Sequence, residues 1–218
     1  TSALGTMVLM EQLKKYKVKK IIYASSGSVY GIKKEKKVTE NLSLKPLSTY
    51  NKVKMVTERV LLSYKKYLNV IILRPATVCG YSPRMRLDVT VNMLTFHALK
   101  NKKITVFGGK QKRPNVHIDD LLNAYMFFLK KNINSNIYNI GFENLSILNI
   151  AKKISKIIKS KIVIKKNSND ARSYNLDSSK LLRTGYKPQK KISDAILELK
   201  ELYEKNILKD KANFHSIQ

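Results

Sequence analysis

The sequence predicts an α/β fold, with a doubly wound parallel sheet in its first part and a mixed arrangement in its second. Three observations point there. KVKKIIYASS (17–26) and NVIILRP (69–75) are short runs with consecutive apolar residues, the pattern of strands covered on both faces. The stretches between them carry apolar residues at helical spacing. Strand and helix signals alternate along most of the chain.

Taken in order, Leu4, Met7, Val8 and Leu13 predict a helix from about Ala3 to Lys15. Val18, Ile21, Ile22, Tyr23 and Ala24 form the first strand, which ends in small hydroxyl residues. The segment GIKKEKKVTENLSLKPLST (31–49) is polar, and Pro46 argues against a helix there. Tyr50, Val53, Val56, Val60, Leu61 and Tyr64 predict a helix from Thr49 to about Leu68, followed by the strand that Pro75 stops. A loop with Gly80 and Pro83 leads to a helix at about Leu87–Lys100 and a short strand ITVFGG. KRPNVHIDD then runs into a helix at about Asp119–Lys130. The strand NIYNIG precedes a helix that Ser146 would cap, reaching about Lys159. The strand KIVIKK, a polar loop, a short helix near Ser178–Leu182 and an amphipathic helix at about Ile192–Ile207 complete the pattern, with KDKANFHSIQ a frayed tail.

At 218 residues the chain has material for one large domain or one and a half smaller ones. No stretch approaches the ~18 apolar residues of a membrane span, and the start TSALGTMVLMEQLKK lacks a signal-peptide layout. A lone cysteine, Cys79, excludes an internal disulfide and a multi-cysteine zinc site, and a reducing, cytoplasmic setting is expected. No metal site is predicted. The net charge of +28 at first suggests a nucleic-acid binder, but 36 of the 43 basic residues are lysine, spread along the whole chain beside Ile and Asn. Nucleic-acid readers favour arginine interleaved with stacking aromatics, so the charge reads as a solvated surface. A basic nucleic-acid-binding protein with an α/β shell is kept as the alternative from another class.

Chemistry concentrates where the first strand ends, YASSGSVYG, and where the next helix opens, STYNKVK. Ligands of α/β sheets bind outside the C-terminal ends of the strands. Tyr50 and Lys54 lie one turn apart on one helix face, and an ammonium near a phenol favours the phenolate, making it a usable proton acceptor and donor. Spacing alone is weak: Tyr-x-x-x-Lys occurs four times, and roughly two are expected by chance in a chain so rich in lysine. Context selects Tyr50/Lys54. Tyr186/Lys190 spans Pro188, Tyr16/Lys20 runs from helix into strand, and Tyr30/Lys34 lies in a loop.

ASSGSVYG, STYNKVKMVTERVL, ILRPATVCG, ITVFGGKQKRPNVHIDDL and RSYNLDSSKLLRTGYKP, in that order from about Gly5 to Pro188, resemble the extended short-chain dehydrogenase/reductases. More narrowly, they resemble the NAD-dependent epimerase/dehydratase family that acts on nucleotide-sugars. The resemblance implies the C-terminal part of a Rossmann-like doubly wound sheet plus a smaller mixed α/β substrate-binding domain. It divides the chain into 1–80, a partial NAD-binding domain, and 81–218, mainly substrate-binding, with elements at about 104–140 returning to the first sheet. The family's opening GxxGxxG turn, which holds the dinucleotide pyrophosphate at a helix N-terminus, has no counterpart here. The chain therefore reads as a fragment that would bind NAD(H) poorly alone and expose a sheet edge and apolar surface.

By the same resemblance Tyr50 is the proton-transferring residue, Lys54 holds the nicotinamide ribose and lowers the Tyr50 pKa, and Ser26 hydrogen-bonds the reacting sugar hydroxyl. Ala76 and Thr77 lie beside the cofactor, NAD or NADP. Arg113 and Arg172 resemble diphosphate clamps, as bidentate guanidinium groups suit phosphate. Arg84, Arg86 and Asn92 are further substrate candidates. His117 is expected to pack near a strand end and Cys79 to be an inert buried thiol, while His97 and His215 have no assignable partner. The dehydratase branch carries Asp-Glu where this chain has Gly27 and Ser28, which disfavours water elimination, and Thr77 stands where many relatives carry Asn. The function implied is an NAD-dependent nucleotide-sugar epimerase, oxidising a nucleotide-diphosphate sugar to a keto-sugar and re-reducing it. A nucleotide-sugar 4-keto reductase or dehydrogenase is the alternative, and pairing of the first two helices implies a homodimer.

Overall fold

The computed structural model describes residues 3–166 and 173–215. A three-stranded parallel sheet organises the first part: β1 (Lys20–Ala24), β2 (Asn69–Pro75) and β6 (Asn136–Ile140), in the order β1-β2-β6. Alternate residues of each strand face opposite layers, and both layers are apolar. On one face Val70 and Ile72, with Ile21, Tyr23 and Ile137, pack against Met10 and Leu13 of helix α1 (Ala3–Lys15) and Leu61 of helix α2 (Thr49–Ser63). On the other, Ile71, Leu73, Tyr138 and Ile140 meet Leu121, Ala124 and Phe128 of helix α4 (Ile118–Lys130). The Lys20 ammonium closes the C-terminal end of α4 by donating to the carbonyls of Phe128 and Lys131, both at 2.8 Å.

Three short strands that periodicity does not reveal form a second sheet: β3 (Thr77–Cys79), β5 (Lys112–His117) and β7 (Glu143–Ser146), in the order β3-β5-β7. β5 lies in a stretch read only as leading into a helix; it contains Pro114 and alternates charged, polar and apolar residues. A two-stranded parallel pair joins β4 (Lys103–Phe107) to β8 (Lys161–Lys165). Of the strands within 104–140, only β6 hydrogen-bonds into the first sheet; β4 and β5 belong to the other two. Helices α3 (Thr90–Asn101), α5 (Ile147–Ile158) and α7 (Ile192–Glu204) build a second core around β4, with Leu94, Ile104, Ile150, Ile154 and Ile196 buried in it. Ser146 caps α5 through its hydroxyl, as its position suggests. The second helix stops at Ser63 rather than near Leu68, because Tyr64–Leu68 turn back through hydrogen bonds to Leu61, Leu62 and Tyr64. The short helix α6 (Ser179–Leu182) places Leu181 in the first core.

One polar network runs through the interior of the first part. Arg74, in an otherwise apolar strand, forms a bidentate ion pair with Glu58 of α2 (2.9 and 2.5 Å), and both side chains are almost fully buried. The third guanidinium nitrogen donates to the Tyr30 hydroxyl at 2.8 Å, which donates in turn to Asn139 at 2.8 Å. Asn139, on β6, passes its own amide protons to the carbonyls of Val38 and Asp177. Burial opposes the charge on Arg74, but the hydrogen bonds and charge of Glu58 outweigh it and hold the arginine pKa above its ordinary value. Burial also pushes the Tyr30 phenol up to about 12. Replacing one member leaves an uncompensated charge in the core. Arg74→Met is expected to destabilise the chain by about 3–5 kcal/mol in urea unfolding, whereas Glu58→Leu/Arg74→Met costs less than the sum of the two single changes.

Candidate active site

The C-terminal end of β1 runs into a 3-10 turn at Gly27–Tyr30, which Ser26 caps by accepting from the Ser28 amide at 3.2 Å. Gly27 lets this turn approach β2: a Cβ there would stand 3.1 Å from the Pro75 carbonyl oxygen. Helix α2 begins beside the turn, capped by the Ser48 hydroxyl, which accepts from the Asn51 amide. Three side chains of α2 then clasp the β1 end. Asn51 accepts from the Ser28 hydroxyl at 2.6 Å, Lys54 donates to the Ala24 carbonyl at 2.6 Å, and Glu58 accepts from the Ser25 hydroxyl. Residues 51, 54 and 58 follow helical spacing, so one face of α2 makes all three contacts.

The clasp brings together the residues singled out at the strand end. Ser26 is half-buried, with its hydroxyl 2.7 Å from that of Ser28. Tyr50, one residue before Asn51, is 59% exposed, leaving its ring open to a ligand. The Lys54 ammonium lies 4.8 Å from the Tyr23 ring centroid and 5.6 Å from that of Tyr50. Ala76 follows the C-terminal end of β2, its amide donating to the Ile140 carbonyl at 2.7 Å, and Thr77 opens β3, where it pairs with Asn115.

Arg86 is exposed on the loop that follows β3, held by two 2.9 Å hydrogen bonds to Asp88. Hydrogen bonds to Asp88 and its negative charge favour the charged form of this guanidinium, raising its pKa. Arg84 is exposed on the same loop. Asn92 is not presented to a ligand. It is buried, accepting from the Gly80 amide and donating to the carbonyls of Gly80 and Arg86, so it braces this loop from beneath. Arg113 is half-buried on β5, with one guanidinium nitrogen donating to the Lys112 carbonyl at 3.0 Å. Arg172 lies outside the described residues.

His117 is buried at the end of β5, where its Nδ1 accepts from the Asp119 amide and its Nε2 lies 3.6 Å from Glu198. Cys79 is buried among apolar residues, and desolvation pushes its thiol up to about 12. Among the described residues no group of three His, Cys, Asp or Glu side chains could hold a metal, and no helix is long and apolar enough to cross a membrane. Sequence reasoning missed Ser25, Ser28, Asn51, Glu58, Arg74, Tyr30 and Asn139. The available signals were an arginine inside an apolar strand and a glutamate eight residues after Tyr50, on the Lys54 face.

The profile of the NAD dependent epimerase/dehydratase family matches residues 1–141. The chain is 36% identical over 171 residues to a dTDP-D-glucose 4,6-dehydratase of Dictyostelium discoideum, covering 71% of this chain and 38% of that protein. It is 35% identical over 154 residues to an uncharacterized UDP-glucose epimerase of Bacillus subtilis, covering 68% and 48%. The chain thus spans less than half the length of these two curated relatives. The crystal structure of UDP-glucuronic acid 4-epimerase from Bacillus cereus, in complex with UDP-glucuronic acid and NAD, superposes with a TM-score of 0.80 at 32% identity, covering 94% of this chain and 68% of that one. UDP-glucose 4-epimerase of Thermotoga maritima with UDP-glucose gives 0.82 at 28% identity, covering 95% and 71%. With its strand-end serines, Tyr50 and Lys54 on one edge of a parallel sheet and the profile matched over most of its length, the chain belongs to the NAD-dependent epimerase/dehydratase family.

Proposed function

We propose that this chain carries the catalytic and sugar-nucleotide-binding part of an NAD-dependent nucleotide-sugar epimerase. The observation that carries this reading is the clasp of Asn51, Lys54 and Glu58 on the β1 end, which sets Tyr50 and Ser26 on the sheet edge where α/β folds take ligands. Gly27 and Ser28 supply no carboxylate beside them, which favours epimerisation over water elimination.

A phenol and an ammonium at this edge fit the ribose end of a nicotinamide nucleotide, whereas none of the 218 residues forms a GxxGxxG turn for its pyrophosphate. The outer edge of β1 carries no described strand, and Leu122, Met126 and Leu129 of α4 are exposed, which supports extension of the sheet there by a dinucleotide-binding unit. Nicotinamide, when bound, supplies the acceptor and donor of hydride. This chain's residues handle the proton and orient the sugar. Tyr50 takes the proton from a sugar hydroxyl as its carbon becomes a ketone, then returns one when the ketone is reduced. Lys54 stabilises the phenolate and meets the ribose hydroxyls. Ser26 orients the reacting hydroxyl, and the Arg86 and Arg113 guanidinium groups bind the diphosphate. Leu4 and Val8, exposed on α1, and Val56, exposed on α2, support pairing of two copies through these helices.

Three measurements test this reading. In the complete protein with NAD and UDP-glucose, Tyr50→Phe is expected to lower kcat by about a hundredfold or more with little change in KM; unchanged turnover refutes the proton-transfer role. Calorimetric titration of the chain with UDP-glucose is expected to show about tenfold or more weaker binding in Arg113→Ala, and equal affinity removes that arginine from the diphosphate site. Sedimentation velocity is expected to report a dimer that Leu4→Lys/Val8→Lys dissociates.

A further inference from the structure

The three strands of the first sheet are parallel, so each return from α1, α2 or α4 into the next strand lies at the strands' N-terminal ends. That edge is opposite the one that carries Ser26 and the start of α2. The three returns read KKYKVKK (14–20), YKKYL (64–68) and KKNINSN (130–136), with nine lysines and no Asp or Glu. Lysine is dispersed along the chain, but the fold gathers these segments to one place. The Lys14 ammonium lies 4.4 Å from the Tyr67 ring centroid, the Tyr64 hydroxyl donates to Glu11 at 2.6 Å, and Lys20 donates to the Lys131 carbonyl. Lys20 serves the end of α4, as a cation at a helix C-terminus does. The other eight lysines are exposed, and among the described residues Lys14 alone of these makes an ion pair, with Glu11 at 3.9 Å. Their field acts on the Tyr67 phenol, whose pKa is lowered from its ordinary value by a hydrogen bond with Lys66 and by the charge of Lys14. Where the second return meets the third, an open groove of about 620 Å³ is lined by Lys65, Lys66, Tyr67, Asn132 and Asn134, among others. The Val70 amide donates to the Ser135 hydroxyl at 2.8 Å, which fastens one return to the other. Tyr67 is 48% exposed and Tyr16 71%, so flat ring surface stands among the ammonium groups.

We propose that this N-terminal edge binds a single-stranded polynucleotide, with its phosphates along the lysines of the three returns and its bases against Tyr67 and Tyr16. Lysines crowded without carboxylates repel one another, and a phosphate chain passing them in turn relieves that repulsion. A tyrosine face stacks with a base of any identity. Lys14 and Lys66 carry long flexible stems, so they turn from the Tyr67 ring to phosphates as a base arrives. A duplex keeps its bases stacked on one another and uses the lysines alone, and a bilayer surface is too broad to enter the groove. The strand leaves the opposite edge, with Ser26, Tyr50 and Lys54, open.

The test is fluorescence anisotropy of the full chain with a labelled oligouridylate of about 16 nucleotides, titrated at several salt concentrations. Wild type is expected to bind it about fivefold more tightly than a duplex of the same length. Lys65→Gln/Lys66→Gln is expected to weaken binding by about tenfold and to make the slope of log affinity against log salt shallower by about 1.4. Lys152→Gln/Lys153→Gln, on the exposed face of α5, removes the same charge from another part of the surface. It is expected to stay within about twofold of wild type. Tyr67→Ala is expected to weaken binding by about fivefold or more, and Tyr67→Phe, which keeps the ring, to restore it. Equal weakening by the two lysine pairs overturns the inference, because the charge then acts as a diffuse cloud. So does a duplex bound as tightly as the single strand, or unchanged binding in Tyr67→Ala. Binding to phosphatidylserine vesicles with none to the oligonucleotide also overturns it and assigns the edge to a membrane surface.

Discussion

The buried ion pair between Glu58 and Arg74 is the constraint on which the rest of this structure depends. A carboxylate and a guanidinium removed from water are tolerated only when nearly every donor and acceptor is satisfied. Here Glu58 takes two guanidinium hydrogen bonds and the Ser25 hydroxyl, and Arg74 extends to Tyr30 and, through it, to Asn139. One pair of charges thereby ties helix α2, strand β2, the 3-10 turn after β1 and strand β6 into a single arrangement. A slip of α2 by one turn would leave two charges unpaired in the core, so the helix that carries Tyr50 and Lys54 has one permitted height above the sheet.

From that fixed height the shorter-range contacts follow. Lys54 reaches the last carbonyl of β1 and Asn51 reaches Ser28 because Glu58, one turn further along the same face, is already held. At the open end of α2 the Tyr50 ring is exposed. Tyr50 and Lys54 are the less buried members of a cluster whose buried members, Asn51 and Glu58, do the aligning.

Buried or half-buried polar side chains also hold the loops of the second half of the chain. Asn92 uses its whole side-chain amide to brace the loop between Gly80 and Arg86, and Asp120 accepts from the amides of Gln189 and Lys190 to fasten the chain beyond α6 to α4. Each residue determines where its loop can lie. Met85 and Leu87 anchor the arginine-bearing loop against Phe96, Leu199, Leu208 and Phe214.

By itself the sequence determined the α/β class, the long helices and the strands of the parallel sheet, and it singled out Tyr50/Lys54 among four like-spaced pairs. Hydrophobic period and chain order are local properties and are written in consecutive residues. Only the tertiary structure decided that β3, β5 and β7 form a sheet of their own, since these strands are short, partly polar and paired across distant parts of the chain. It also decided that Asn92 braces a loop, and that Ser25, Ser28, Asn51, Glu58 and Arg74 align the strand end. A hydrogen bond between residues such as Ser28 and Asn51 depends on how a helix seats against a turn, and that seating is a property of the whole packed domain.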